Sequence, residues 1–103
     1  AAGEAGTESF RLGFQDPDSK PISPWHDIPL EGKTEGSYNM VVEIPKMTKA
    51  KMEVATKEEN NPIAQDIKKG VLRDYHGPIF WNYGTLASSI ISRHSSASVF
   101  DFL

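Results

Sequence analysis

The chain has 103 residues, enough for one small domain, and its formal net charge at pH 7 is −3. It contains no cysteine, which excludes disulfide bonds, thiolate catalysis and cysteine-based zinc sites. No apolar run approaches the roughly 20 residues that span a bilayer, so we expect no transmembrane segment.

The first third is predicted to contain a flexible end, a strand and an extended connection. Residues 1–8 are small and polar, which favours flexibility. Residues 9–15 place Phe10, Leu12 and Phe14 at alternate positions, the period of a half-buried strand. Residues 21–29 contain three prolines and cannot form a central strand, so we expect an ordered, extended connection.

The middle of the chain is predicted to contain two strands with polar side chains. Residues 38–44 form the first, with Met40, Val42 and Ile44 on one face and Asn39, Val41 and Glu43 on the other. Residues 51–57 form the second, with Met52 and Val54 on one face and Lys51 and Glu53 on the other. If the two strands make a hairpin, Glu43, Lys51 and Glu53 converge on one polar surface. The alternative is an ordinary solvent face of an antiparallel sheet.

The same region is basic although the chain as a whole is acidic. Seven basic and four acidic residues between Lys46 and Arg73 give this stretch +3, so the remainder carries −6. Such a stretch is typical of a local anion site, and equally of a solvated lysine-rich face. No aromatic residue lies within it, which disfavours a nucleic-acid surface.

The last third changes in composition. Lys68-Lys69-Gly70 predicts a tight turn before a short strand that ends at Arg73. After Gly84 the chain is rich in serine, and the spacing of Leu86, Ile90 and Ala97 favours a short helix. The apolar residues near the C-terminus require burial, on this chain or on a partner. The predicted organisation is a flexible segment (1–8), a β domain (9–84) and a divergent tail (85–103).

Several linked motifs resemble the N-terminal half of eukaryotic family I soluble inorganic pyrophosphatases, in a plant or algal form. They are Ser-Pro-Trp-His-Asp-Ile-Pro (23–29), Met-Val-Val-Glu-Ile-Pro (40–45), Ala-Lys-Met-Glu-Val-Ala-Thr (50–56), Asn-Pro-Ile (61–63), Lys-Lys-Gly (68–70) and Trp-Asn-Tyr-Gly (81–84). The match covers about residues 10–84. By contrast, the sequence has no phosphate loop, dinucleotide fingerprint or nucleophile elbow.

The resemblance implies a Mg²⁺-dependent hydrolase of pyrophosphate on an OB-like β-barrel. It assigns Glu43 and Glu53 to metal-bound waters, Lys51 and Arg73 to substrate phosphate, and Tyr83 to the catalytic centre, with Asp66 at the periphery. The fold expected is a mainly β, unclosed barrel of this type with irregular connections, because an OB-like barrel closes only with its later strands.

Three departures from the family pattern lead to the functional prediction. Ile79 stands where the family has a second tyrosine, the Pro-Gln-Thr-Trp-Glu-Asp-Pro continuation after Gly84 is absent, and so is the later aspartate cluster that holds the metals. We therefore predict an inactive fragment that binds no Mg²⁺ alone and serves as an accessory subunit of an organellar assembly, docking through an open barrel edge and its apolar tail. A chloroplast is favoured over a mitochondrion, with the cytoplasm as the alternative. The other hypothesis is a pyrophosphatase completed by a missing segment or another chain.

Overall fold

The structure, a computed structural model, describes residues 1–87 and 98–100. All regular structure in this part of the chain is β-strand, which confirms the mainly β prediction. The strands are β1 (Phe14–Gln15), β2 (Pro21–Ile22), β3 (Met40–Ile44), β4 (Met52–Val54), β5 (Ile63–Gln65), β6 (Ile67–Lys68), β7 (Val71–Leu72), β8 (Tyr83–Leu86) and β9 (Ser98–Phe100).

These strands form small antiparallel sheets. β1 pairs with β2, β4 with β5, and β6 with β7, while β3, β8 and β9 form a three-stranded sheet in that order. The described strands do not close into a barrel, in agreement with the unclosed fold predicted. None of the described residues forms a helix that could cross a membrane.

The two middle strands do not form the hairpin that was considered as one hypothesis. β3 pairs with β8, and β4 pairs with β5, so the two strands belong to different sheets. They nevertheless lie side by side, because the core is built between the sheets from Trp25, Val41, Val54 and Ile63. The main-chain bridge between Leu12 and Ile63 connects the first predicted strand to this core.

A β-bulge in β3 changes which side chains are buried. Val42 pairs with Gly84 and Ile44 with Tyr83, which leaves Glu43 as the extra residue. Val41, Glu43 and Ile44 are buried, whereas Val42 is 37% exposed. The predicted alternation, with Ile44 on the face of Val42, is therefore wrong at the bulge, and Glu43 lies inside the molecule and not on an open polar face.

Gly84 permits the close approach of β3 and β8. A Cβ at this position would overlap the main-chain carbonyl oxygen of Val41. The pairing of β3 with β8 therefore requires a residue without a side chain at position 84. The glycine therefore sets the distance between β8 and the bulged strand that carries Glu43.

The predicted turn at residues 68–70 is confirmed. Lys69 and Gly70 have φ values of 54° and 76° and connect β6 to β7, as in a two-residue type I′ hairpin. Arg73 follows directly after this hairpin, so the turn helps to fix its place beside β5.

Two predictions concern the end of the chain. Leu86 lies in β8 and not in a helix, while Ile90 and Ala97, which complete the predicted helix, are outside the described residues. The boundaries proposed at residues 8 and 84 stay predictions, as does the burial of the apolar C-terminus.

Candidate functional site

A cavity of about 320 Å³ opens between β3, β4 and β8. Four of the residues selected from the sequence line it, namely Glu43, Lys51, Glu53 and Tyr83. Glu43, Lys51 and Glu53 thus line one cavity, but contact between two sheets brings them together, not the hairpin on which the sequence hypothesis depended.

Glu43 is held in this cavity by the main chain of β4. Its Oε2 accepts a 2.7 Å hydrogen bond from the backbone N–H of Val54. Burial raises the pKa of Glu43, the hydrogen bond from Val54 opposes this rise, and the negative charge of Glu53 adds to it. Glu43 is therefore a buried acid whose charged form is destabilised by its surroundings.

Lys51 and Arg73 converge on one oxygen of Asp66. Lys51 Nζ lies 3.3 Å and Arg73 Nη1 lies 2.7 Å from Asp66 Oδ2. Neither Asp66 nor Arg73 lines the cavity between β3, β4 and β8. The predicted phosphate ligands are thus close to each other, but Asp66 accepts from both of them.

Main-chain hydrogen bonds lock these three residues together. The N–H of Asp66 donates to the carbonyl of Lys51, the N–H of Arg73 donates to that of Asp66, and the N–H of Lys51 donates to that of Arg73, at 2.8, 2.9 and 3.0 Å. The Gln65 side-chain amide also donates to the Arg73 carbonyl and to Asp74. We call Lys51, Asp66 and Arg73 the charged triangle; the closed ring of hydrogen bonds fixes its Cα positions independently of its side chains.

The pKa values of Glu53 and Asp66 are shifted in opposite directions. Burial and the charge of Asp66 raise the pKa of Glu53, against the opposing effect of Lys51. For Asp66, burial acts to raise the pKa, but the hydrogen bonds from Arg73 and Lys51 outweigh it and lower the pKa overall. Of the two acids, Asp66 is therefore the one whose charged form is favoured, and Glu53 is the one that takes up a proton more easily.

Other cavity residues were not selected from the sequence. They include Trp25, Thr56, Tyr75 and Thr85. Trp25 is 8% exposed and belongs to the core between the sheets. Tyr75 follows the charged triangle and its backbone N–H donates to the carbonyl of Lys49, a long-range pairing that no local motif marks.

The described acids do not by themselves fit Mg²⁺. This cation takes near-octahedral oxygen coordination. Across residues 1–87 and 98–100, no three His, Cys, Asp or Glu side chains are grouped so that they could hold a metal ion. In addition, Glu43 Oε2 is engaged by Val54, and Asp66 Oδ2 by Lys51 and Arg73.

Comparison with known proteins identifies relatives over most of the chain. The chain is 55% identical over 84 residues to the chloroplastic soluble inorganic pyrophosphatase 6 of Arabidopsis thaliana, covering 82% of this chain and 28% of that protein. It is 51% identical over 85 residues to the inorganic pyrophosphatase of Dictyostelium discoideum, covering 82% of this chain and 30% of that protein. No protein-family model matches the chain.

The solved structures that resemble this chain are also inorganic pyrophosphatases. The fold superposes on the type I inorganic pyrophosphatase of Toxoplasma gondii with a TM-score of 0.77 and 42% identity, covering 84% of this chain and 39% of that one. The chain thus spans less than a third of the length of the curated relatives named above. Relatives named chloroplastic and mitochondrial both occur, from Chlamydomonas reinhardtii and Mus musculus, so they do not settle the compartment.

Proposed function

Because about four fifths of the chain is homologous to inorganic pyrophosphatases, we propose that it forms the phosphate-binding half of a pyrophosphatase site and does not hydrolyse pyrophosphate by itself. The observation that carries this proposal is the grouping of Glu43, Lys51, Glu53 and Tyr83 around one cavity. The charged triangle next to it adds Arg73, whose guanidinium can form two hydrogen bonds to a phosphoryl group.

The roles proposed for these residues follow from their chemistry. Lys51 and Arg73 supply the positive charge that a phosphoryl group needs. Tyr83 offers a hydroxyl at the catalytic centre, and Glu43 and Glu53 would act on metal-bound waters. Since the described acids do not make a metal site alone, we propose that this chain binds no Mg²⁺ on its own and that further carboxylates come from another segment or chain.

Fragment complementation tests this proposal. The 103-residue chain is mixed with a polypeptide containing the part of the Arabidopsis relative that lies beyond the matched region, and Mg²⁺-dependent phosphate release is measured. We expect release only when both are present, and its loss with Lys51→Ala or Arg73→Ala. Phosphate release by the chain alone would contradict the proposal. So would phosphate release from the mixture that Lys51→Ala and Arg73→Ala leave unchanged.

A second candidate function is a non-catalytic accessory subunit of a larger organellar assembly. It is favoured by an exposed apolar surface formed by Met47, Phe80 and Trp81, which are 54%, 69% and 44% exposed. Main-chain hydrogen bonds between Met47 and Ile79 and between Ile79 and Thr48 hold the two segments of this surface together. Among the described strands, β3 also ends the three-stranded sheet, and the terminal strand of a sheet can pair with a strand of a partner.

Native purification distinguishes the two functions. A mass near 11.4 kDa found within a large complex without pyrophosphatase activity supports the accessory role. Activity that copurifies with the chain supports the catalytic half-site. Fractionation of organelles tests the compartment, for which we propose the chloroplast over the mitochondrion, with the cytoplasm as the alternative.

A further inference from the structure

We propose that Asp66 is an internal competitor for the anion that Lys51 and Arg73 bind. The inference rests on the proposed phosphate-binding function and adds a residue that sets its affinity. Both cations reach the same oxygen of Asp66, at 3.3 and 2.7 Å. An oxygen in this position occupies the place between the two cations that an incoming oxyanion would otherwise take.

The geometry separates this role from one in positioning the cations. The ring of main-chain hydrogen bonds already fixes the Cα positions of the charged triangle. The Asp66 carboxylate is therefore not needed to bring the two side chains into the same region. The carboxylate supplies a negative charge. An incoming anion must either displace this carboxylate from the two cations or bind close to it against electrostatic repulsion.

The competition makes the site selective for anions that bind strongly. A single carboxylate gains little by exchanging with another carboxylate that is already in place. A phosphoryl group carries more charge and three acceptor oxygens, so it can compensate for the loss of Asp66. We therefore expect the affinity of the wild-type chain for anions such as acetate to be too low to measure.

Removal of the charge at Asp66 tests the inference. Inorganic phosphate is titrated, at constant ionic strength and without metal, into the wild-type chain and Asp66→Asn, while the NMR signal of Arg73 Nε–H is followed. We expect the variant to bind phosphate about tenfold more tightly, the order of effect expected for one charge at contact distance. Acetate binding should also become measurable.

Glu58→Gln is the matched control. Glu58 is also a carboxylate that pairs with an arginine, since its oxygens accept from Arg11 at 2.8 and 3.1 Å, but it is not part of the charged triangle. This control should leave phosphate affinity unchanged. Unchanged or weaker phosphate binding by Asp66→Asn would overturn the inference, and weaker binding would assign Asp66 to positioning.

A wild-type measurement keeps the inference testable if Asp66→Asn does not fold. The ¹³C signal of the Asp66 carboxylate is expected to move as phosphate displaces it from Arg73. A carboxylate signal that stays fixed while the Arg73 signal saturates would overturn the inference and leave the proposed function intact. If neither phosphate nor Mg²⁺–pyrophosphate binds the wild-type chain or the variant, the proposed function fails together with the inference.

Discussion

Glu43 on β3 accepts a 2.7 Å hydrogen bond from the backbone N–H of Val54 on β4, so one carboxylate links strands of two different sheets. The β-bulge directs this side chain inward. The same residue thus stabilises the contact between the sheets and lines the proposed site. Because Glu43 is buried, its charged form is expected to reduce the stability of the folded protein.

The first prediction separates the hydrogen bond of Glu43 from its charge. Glu43→Ala removes the acceptor and leaves the Val54 N–H without it, so we expect a loss of about 1–3 kcal/mol in the free energy of unfolding. Glu43→Gln keeps an acceptor oxygen and removes the buried charge, so it should be at least as stable as the wild type near pH 7. Urea denaturation of the three proteins measures both effects. Equal destabilisation by both variants would show that the charge is needed.

The second prediction concerns pH. The folded-state pKa of Glu43 is raised, so the folded protein binds more protons than the unfolded chain between the ordinary and the raised pKa values. The stability associated with this group is present at low pH and is lost as pH rises through that window. The advantage of Glu43→Gln over the wild type should therefore grow across the window and then level off. An advantage that shrinks as pH rises would contradict the assignment.

The third prediction concerns the pairing of β3 with β8. In Gly84→Ala the new Cβ would overlap the carbonyl oxygen of Val41, so we expect a loss of about 1–3 kcal/mol or more. Gly13→Ala is the matched control, because a Cβ there has no neighbour within 4 Å and no positive φ is recorded. Thermal denaturation of both variants should show a large effect only at Gly84. A neutral Gly84→Ala would mean that the two strands can move apart.

The fourth prediction concerns the buried contact between Ser23 and Asn61. Ser23 Oγ donates to Asn61 Oδ1 and accepts from the N–H groups of Trp25 and His26. Ser23→Ala removes all three hydrogen bonds, and we expect it to cost about 1–3 kcal/mol. Ser37 is partly buried, and its hydroxyl donates a solvent-exposed hydrogen bond to the carbonyl of Thr34, so Ser37→Ala provides a control that should cost far less. Comparable losses at both positions would contradict the account.

The local features of the fold were predictable because neighbouring residues determine them. The β6–β7 turn follows from a Lys-Gly pair that adopts positive φ, and Val54 is buried where its strand alternation places it. The pairing of β3 with β8 depends on residues far apart in sequence. The bulge at Glu43 was not predictable, since one extra residue reverses the alternation without any change in the sequence pattern.

In the candidate site too, some features follow from neighbouring residues and others from residues far apart in sequence. Lys51 and Glu53 both line the cavity, which their two-residue spacing in an extended segment already indicates. The resemblance places Asp66 at the periphery, and Asp66 does not line the cavity between β3, β4 and β8. Its contact with both Lys51 and Arg73 arises from main-chain pairing among three separate segments, and no sequence pattern records that.

Binding of pyrophosphate to the 103-residue chain decides whether this chain forms a phosphate-binding half-site. Isothermal titration calorimetry in the presence of Mg²⁺ measures this binding. Lys51→Ala serves as the comparison, and phosphate release is monitored in the same samples. We expect saturable binding without phosphate release, and we expect Lys51→Ala to weaken this binding about tenfold or more through loss of a charge-assisted contact. An absence of saturable binding, or binding that Lys51→Ala leaves unchanged, would contradict the claim that this chain forms a phosphate-binding half-site.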